Sequence, residues 1–479
     1  MRRIRTLGFI MIVAVVLCVA LAFCACDKDD EPNDVEEVPD FRIEDYAYFE
    51  LGAGYAESNK IVIKKIKDEY KDTVTDMVIP DTCTSIYGGA FEEMKNLRKV
   101  TIPNVRMGIG VFQNCTKLNE IVFSDDVEWI SEKCFAGCSS LENVVLPPAL
   151  KGISADSFSG TSWFNSQPDG IVYIGNIAYA YKGDMPKDTT ITFRDGTKVI
   201  ADWFFRFCNE VVEVIMPDSV EFIGIDLFTG CEKLRNVRFS ENITHATRFF
   251  NCPSIREVVF PDKVETLYSN TFYNCVSLMS VTIGKNYKKT IIGWFEPVVQ
   301  HCPRLVQIYN RSNGEIESLS YCDGIYFYSK EGEGKLVETE KDTYYLIQGQ
   351  EKRFVGYFGD EIETFSLDAD TTEVTRGAFY DSKVKHVILP EGVKKIGEFA
   401  FGGDSLVETI TMPSSIEEVD YLTFEDFFYE SFEDPRVFTV YYDGTMAQWD
   451  AVVKFEYQMS SRVICKDGTI SLNKECVPF

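Results

Sequence analysis

Apolar residues recur along this chain in short alternating runs that close on proline. Leu97-Arg-Lys-Val-Thr-Ile-Pro103, Val211-Val-Glu-Val-Ile-Met-Pro217, Ile255-Arg-Glu-Val-Val-Phe-Pro261 and Val384-Lys-His-Val-Ile-Leu-Pro390 share the scheme. Each predicts a short strand with one apolar face, which the proline ends by withdrawing a ladder donor. A second apolar pair follows, as in Val220-Glu-Phe-Ile-Gly224 and Val393-Lys-Lys-Ile-Gly397. Next comes an aromatic beside a small or apolar residue, as in Val111-Phe112, Cys134-Phe135, Leu227-Phe228, Thr271-Phe272 and Ala400-Phe401. Last, a small polar residue runs into cysteine, with an apolar residue three places on: Asn114-Cys115 to Leu118, Gly137-Cys138 to Leu141, Gly230-Cys231 to Leu234, Asn251-Cys252 to Ile255, Asn274-Cys275 to Leu278.

The pattern is periodic. Cys115 to Cys138, Cys208 to Cys231 and Cys252 to Cys275 each span 23 residues, and Cys231 to Cys252 spans 21. A period in the low twenties predicts a solenoid, in which each coil buries its apolar face against the next. Each buried phenylalanine stabilises by roughly 1.5–3 kcal/mol, so a row of them down the axis is the expected main source of stability.

These residues resemble the leucine-rich repeats of the BspA type, whose unit is an aromatic, a cysteine, a leucine and a strand ending in Ile-Pro. The resemblance spans most of residues 60–440. It implies a leucine-rich-repeat solenoid, β-rich with short helical or irregular turns, winding as a right-handed superhelix. Val440-Tyr-Tyr-Asp-Gly-Thr-Met-Ala-Gln-Trp449 resembles the unit that closes many such proteins, and Val463-Ile-Cys-Lys-Asp-Gly-Thr-Ile470 fits with it. Two aperiodic stretches read as β-hairpin inserts. One alternates around Gly175-Asn176, a strong hairpin cue; the other contains Tyr326-Phe-Tyr328 and Tyr344-Tyr-Leu-Ile347. The expected layout is a signal at 1–25, an acidic tether at 26–42 and repeat blocks at 43–162, 201–309 and 376–439. The inserts fall at 163–200 and 310–375, and a terminal cap at 440–479.

Arg2, Arg3 and Arg5 precede an apolar run from Leu7 to Phe23, which reads as a secretory signal. The stretch resembles a bacterial lipoprotein leader with Cys26 as the lipidated residue, Cys24 being the competing site. Lys28-Asp29-Asp30 resembles the surface-export tag of Bacteroidetes lipoproteins. The expected location is therefore the outer membrane, exposed at the cell surface, with lipid at Cys26 as the only membrane attachment. The acidic, proline-containing run from Asp27 to Asp40 lacks the apolar surface to fold. A net charge of −27 argues against nucleic acid as a partner, because phosphate binding needs a basic face.

Little in the chain suggests catalysis. His245, His301 and His386 fall in different repeats, and no HExxH, GxSxG, Walker or GxGxxG motif occurs. Neither an enzyme nor a cofactor nor a metal is expected; Leu367-Asp-Ala-Asp-Thr-Thr-Glu373 reads as a solvated turn. The ladder cysteines read as packed thiols, with ladder disulfides and a metal as alternatives. A Cys465–Cys476 bridge is left open.

The functional candidate is the strand face. With the apolar positions turned inward, one column on the expected concave side reads Lys99, Glu120, Asn143, Glu213, Asn236, Glu257, Ser280, His386. Its neighbour reads Thr101, Val122, Val145, Ile215, Arg238, Val259, Thr282, Ile388. The second column is largely β-branched, which plain strand propensity also produces. A flat apolar stripe rimmed by acids is how protein-binding patches are often built. Tyr173, Tyr179, Tyr181, Tyr326, Tyr328, Tyr344 and Tyr345 of the inserts are expected to be exposed and to extend it. The expected function is binding or adhesion to a host or cell-surface protein, with glycan capture through insert aromatics such as Trp163 and Tyr181 as the alternative.

Overall fold

In the computed structural model, residues 47–51, 61–206, 208–291, 297–312, 325–328, 333–339, 342–403, 405–420, 422–424, 438–453 and 461–472 are described. The signal, Cys26 and the tether lie outside them, as do Cys322 and Cys476. The described chain is a β-rich leucine-rich-repeat solenoid. Parallel ladders join strands one coil apart: Lys99 faces Glu120 and Thr101 faces Val122, Glu213 faces Asn236, and His386 faces Thr409. A second, shorter ladder lies beyond the proline, where Val199-Ile200 pairs with Phe222-Ile223 and Lys395-Ile396 with Glu418-Val419. The core lies between the two ladders.

Backbone conformation explains the small polar residue before each cysteine. Asn114, Gly137, Gly230, Asn251, Asn274 and His301 all have φ between 55° and 75°. This left-handed region is open to glycine and costs asparagine less than other side chains. Asp381 and Gly403 hold the same conformation at φ 52° and 68° in the later coils, although cysteine is no longer beside them.

The cysteine side chains then meet a specific acceptor. Cys115 Sγ donates to the Phe91 carbonyl at 3.1 Å, Cys138 to Phe112 at 3.2 Å, Cys231 to Phe205 at 3.1 Å, Cys252 to Phe228 at 2.8 Å and Cys275 to Phe249 at 3.0 Å. Each thiol thus ties its coil to the aromatic corner of the coil before. These cysteines are buried free thiols, as are Cys83, Cys134 and Cys302. Burial pushes the Cys134 thiol up to about 12.

The phenylalanines form rows. Phe91, Phe112, Phe135 and Phe158 stack with centroids 5.3, 5.6 and 5.4 Å apart. Phe205, Phe228, Phe249 and Phe272 follow at 5.5, 5.0 and 5.5 Å. Phe354, Phe379, Phe401 and Phe424 make a third row at 4.9, 5.1 and 5.8 Å.

Each row opens behind an antiparallel hairpin whose second strand enters the shorter ladder. Ala47–Leu51 pairs with Ile61–Ile66, which runs parallel to Cys83–Ile86. Gly170–Ile174 pairs with Ile177–Lys182 across the Gly175-Asn176 turn, and Ile177–Lys182 meets Val199–Ile200. Thr343–Gln348 pairs with Glu351–Tyr357, which meets Glu373–Val374. The two stretches read as inserts are therefore the second and third copies of one motif, and the sequence reading missed the first. At the far end, Gly468–Leu472 lies antiparallel on Ser461–Cys465 and ends that sheet. Beside it the helix Met446–Val452 starts with a Thr445–Gln448 capping box and buries Trp449.

The tyrosines expected to be exposed are not. Tyr179 is 0% exposed and Tyr345 1%, Tyr328 and Tyr344 are also buried, and Tyr173, Tyr181 and Tyr326 are half-buried. Tyr179 packs against Phe158, Trp163 and Phe164, and its hydroxyl accepts the Phe158 N–H at 2.8 Å. The hairpin strands close the ends of the phenylalanine rows, so these rings serve the core.

Candidate binding face

The register joins the anticipated columns within each ladder and lengthens them. Asp76 precedes Lys99 and Glu120, and Val78 precedes Thr101 and Val122. Thr190 precedes Glu213 and Asn236; Thr192 precedes Ile215 and Arg238. Glu257 continues to Ser280 and Gln307, and Val259 to Thr282 and Tyr309. In the last ladder Ile388 is flanked by Ser366 and Thr411, then Tyr441 and Ile464. The added members were legible only where the run kept its form, as in Met77-Val-Ile-Pro80. Thr189–Thr192 and Thr439–Tyr442 lack the proline and were missed.

The second column is open to solvent. Val78 is 57% exposed, Val122 38%, Val145 78%, Val259 52%, Ile388 40% and Tyr441 43%. Arg238 is exposed, while Thr101, Ile215 and Thr282 are half-buried. In the first column Glu120, Asn143, Asn236 and Glu257 are exposed, and Lys99, Glu213 and His386 half-buried. Lys99 pairs with Glu120 at 2.6 Å, and His386 Nδ1 shares a hydrogen bond with Thr409 at 2.8 Å. Rim pairs of this kind are worth at most about 1 kcal/mol.

Ser280 is not on the open face: it is 2% exposed, and its ladder neighbour Gln307 is 1% exposed. The hairpin beginning at Thr343 lies across this stretch, where Tyr344, Leu346 and Val355 pack on Met279 and Val306. Arg256 locks the cover. Its Nη1 reaches Asp342 at 3.0 Å and the Tyr344 hydroxyl at 2.7 Å, and its guanidinium stacks on Phe358 at 4.5 Å. From the other side Arg304, wholly buried, stacks on the same ring at 4.4 Å and donates to the carbonyls of Gly377 and Tyr380.

The strand face falls into four sheets, and a cleft opens at each of the first two breaks between them. Residues 141–147 form no strand, so Asn143 and Val145 keep their column positions without ladder bonds; Val144 and Leu146, expected inward, are half-buried. There a cleft of about 680 Å³ is lined by Val144 to Lys151, the Ile174–Ile177 turn, Lys198, Val199, Glu221 and Phe222. The second break separates Asn236–Arg238 from Glu257–Val259, which belong to different sheets. It coincides with the short 21-residue step between Cys231 and Cys252. A cleft of about 370 Å³ lies there, between Val237–Phe239 and Val259–Asp262, with Arg311. Among the described residues no group of three or more His, Cys, Asp or Glu side chains is placed to hold a metal.

A family model described as BspA type leucine rich repeat region matches in six copies, over residues 69–182, 172–296 and 356–456. Among solved structures, a leucine-rich repeat protein from Bacteroides ovatus is 20% identical, with 84% of this chain and 99% of that chain covered and a TM-score of 0.29. A leucine rich cell surface protein from Faecalibacterium prausnitzii is 16% identical over 91% of this chain and 100% of that one, with a TM-score of 0.28. The pneumococcal vaccine antigen PcpA is 15% identical over 59% and 93%, with a TM-score of 0.30. No curated protein matches.

Proposed function

The chain belongs to the BspA-type leucine-rich-repeat family, and from that premise we propose that it is a cell-surface binding or adhesion module that recognises host or other cell-surface proteins through its strand face. One observation carries this reading. Val78 and Val259 stand in solvent at column positions between buried residues, and Val122 and Val145 between half-buried ones, so burying them on folding is not what they are for. Apolar side chains left in water along one face, with acids beside them, match the composition of a protein-binding patch. In this reading lipid at Cys26 tethers the chain to the outer membrane and the acidic segment holds the solenoid off the surface. No catalytic step is assigned. The glycan alternative rested on insert aromatics, and Trp163 and Tyr181 are both half-buried against the core.

The test replaces Val122, Val145 and Val259 together by lysine. All three are exposed, so folding by circular dichroism should be unchanged, while adhesion to host cells and capture of any cross-linked surface partner should be lost. Full retention of adhesion by a folded triple variant would refute the placement. Separately, Cys26→Ala should abolish incorporation of labelled fatty acid, and Cys24→Ala should not.

A further inference from the structure

Two coils part at the first break. On the shorter ladder they touch: Ser154 bridges Asp202, and the Asp202 N–H donates to the Ile153 carbonyl at 2.8 Å. On the other side the Gly175-Asn176 turn stands against the following coil, where the Lys198 N–H donates to the Asn176 carbonyl at 2.7 Å. The hairpin thus acts as a wedge, and the preceding coil has no strand partner among the described residues on the side that faces it. That coil is anchored at its ends, by Ser140 N–H to Thr116 at 3.2 Å and Ala149 N–H to Asp125 at 3.3 Å. Between these anchors residues 142–146 make no backbone hydrogen bond to the described residues. Unpaired backbone of this kind can take up an added strand, as an open sheet edge does.

We propose that this cleft receives an extended segment of a partner protein, which adds as a strand to residues 142–146. The inference rests on the reading that this face binds protein, and it specifies what the partner presents. Unpaired N–H and C=O groups select a polypeptide backbone, since main-chain bonds supply affinity in strand addition and alternate side-chain pockets supply specificity. Val145, Pro148, Ile174, Ile177 and Phe222 make the cleft wall apolar, so alternate side chains of the segment are apolar. The two lining lysines are already neutralised: Lys151 by Glu128 at 2.5 Å and Lys198 by Glu221. Glu142, exposed on the open segment two residues before the cleft lining begins, has no ion-pair partner among the described residues. The segment's remaining side chains are therefore basic, in keeping with a chain of net charge −27.

The probe is a fluorescein-labelled peptide, Lys-Val-Lys-Val-Thr-Val-Lys, and its counterpart N-methylated at alternate residues, titrated against the full-length protein by fluorescence polarisation. The unmodified peptide should bind saturably below about 1 mM, and N-methylation should weaken it by roughly tenfold or more. Val145→Lys and Glu142→Lys should each weaken binding by a similar factor, the second with a smaller salt dependence, while Ile109→Lys, at an exposed position outside both columns and the cleft, should bind as the parent does. Val145 and Glu142 are both exposed, and circular dichroism checks that each variant folds. Absence of saturable binding, or equal binding by the N-methylated peptide or by both cleft variants, overturns the proposal. If the peptide fails while the triple lysine variant still loses adhesion, only the strand-addition inference falls; if adhesion also persists, the face reading falls with it.

Discussion

Phe228 offers the sharpest check on how the stack is held. Its ring is 0% exposed and lies between Phe205 at 5.5 Å and Phe249 at 5.0 Å, with interplanar angles of 10° and 21°. Leucine at this position keeps most of the buried volume, and volume-conserving swaps in a core cost up to about 1.5 kcal/mol. What leucine cannot replace is the ring contact, worth about 0.5–1.5 kcal/mol per pair beyond area burial. Single substitutions mix these terms, so the measurement is a pair of double-mutant cycles. Phe228→Leu combined with Phe249→Leu removes one shared contact along with each residue's own, and the coupling should be about 1 kcal/mol. Phe228→Leu combined with Phe272→Leu removes residues that stack on Phe249 from opposite sides without meeting, and coupling should be within about 0.5 kcal/mol of zero. Urea midpoints and slopes for parent, singles and doubles supply the numbers. Amide exchange over residues 199–275 checks that the same coils open in each. Equal coupling in the two cycles, or none in either, would refute the claim that adjacent rings form an energetic row.

Asp202 is pushed up to about 6, chiefly by burial and further by Asp226, against the opposing Ile225 N–H and Arg248. Its folded pKa exceeds the unfolded value near 4, so its stabilising contribution is held below about pH 4 and lost as pH rises through about 6. Asp202→Asn keeps an oxygen for the Ile225 N–H and should raise the urea midpoint relative to the parent at pH 8 but not at pH 4; the same gain at both would contradict the burial. Alkylation by iodoacetamide with peptide mapping should label half-buried Cys208 first among Cys115, Cys138, Cys208, Cys231, Cys252 and Cys275, the others reacting only in denaturant. Early labelling of Cys252 would contradict its bond to the Phe228 carbonyl. Arg304→Lys cannot span both carbonyls that the guanidinium reaches, and should cost about 1–3 kcal/mol and speed amide exchange over residues 375–389. Unchanged exchange there would show that this arginine does not tie the two coils together.

The repeat was legible because each coil solves the same local problem with the same residue types. Only glycine, asparagine and a few others hold the left-handed corner before the cysteine, and only a flat ring fills the 5.0–5.6 Å spacing of the first two rows. The second break also carried a signal, the 21-residue step. Other features had none. Ser280 reads like any outward strand residue, and what buries it, Tyr344 and its neighbours, lies some sixty residues on. Tyr179 and Tyr345 sit in alternating strands that suggest one wet face, yet the rings lie against the phenylalanine rows. Ser382 and Ser405 are buried in the later coils that lack cysteine, and each reaches a backbone N–H two residues on. These bonds lie within a single coil, unlike the thiol's bond to the coil before.

The thiol-to-carbonyl ties have a mechanical side. Each joins a coil only to the one before, so a chain pulled from its two ends would part turn by turn, like tape from a roll. Every turn released frees 23 residues between Cys252 and Cys275, or Cys115 and Cys138, which is about 80 Å of extended chain. Tension would thus be met by a series of small, separately recoverable slips instead of one collapse.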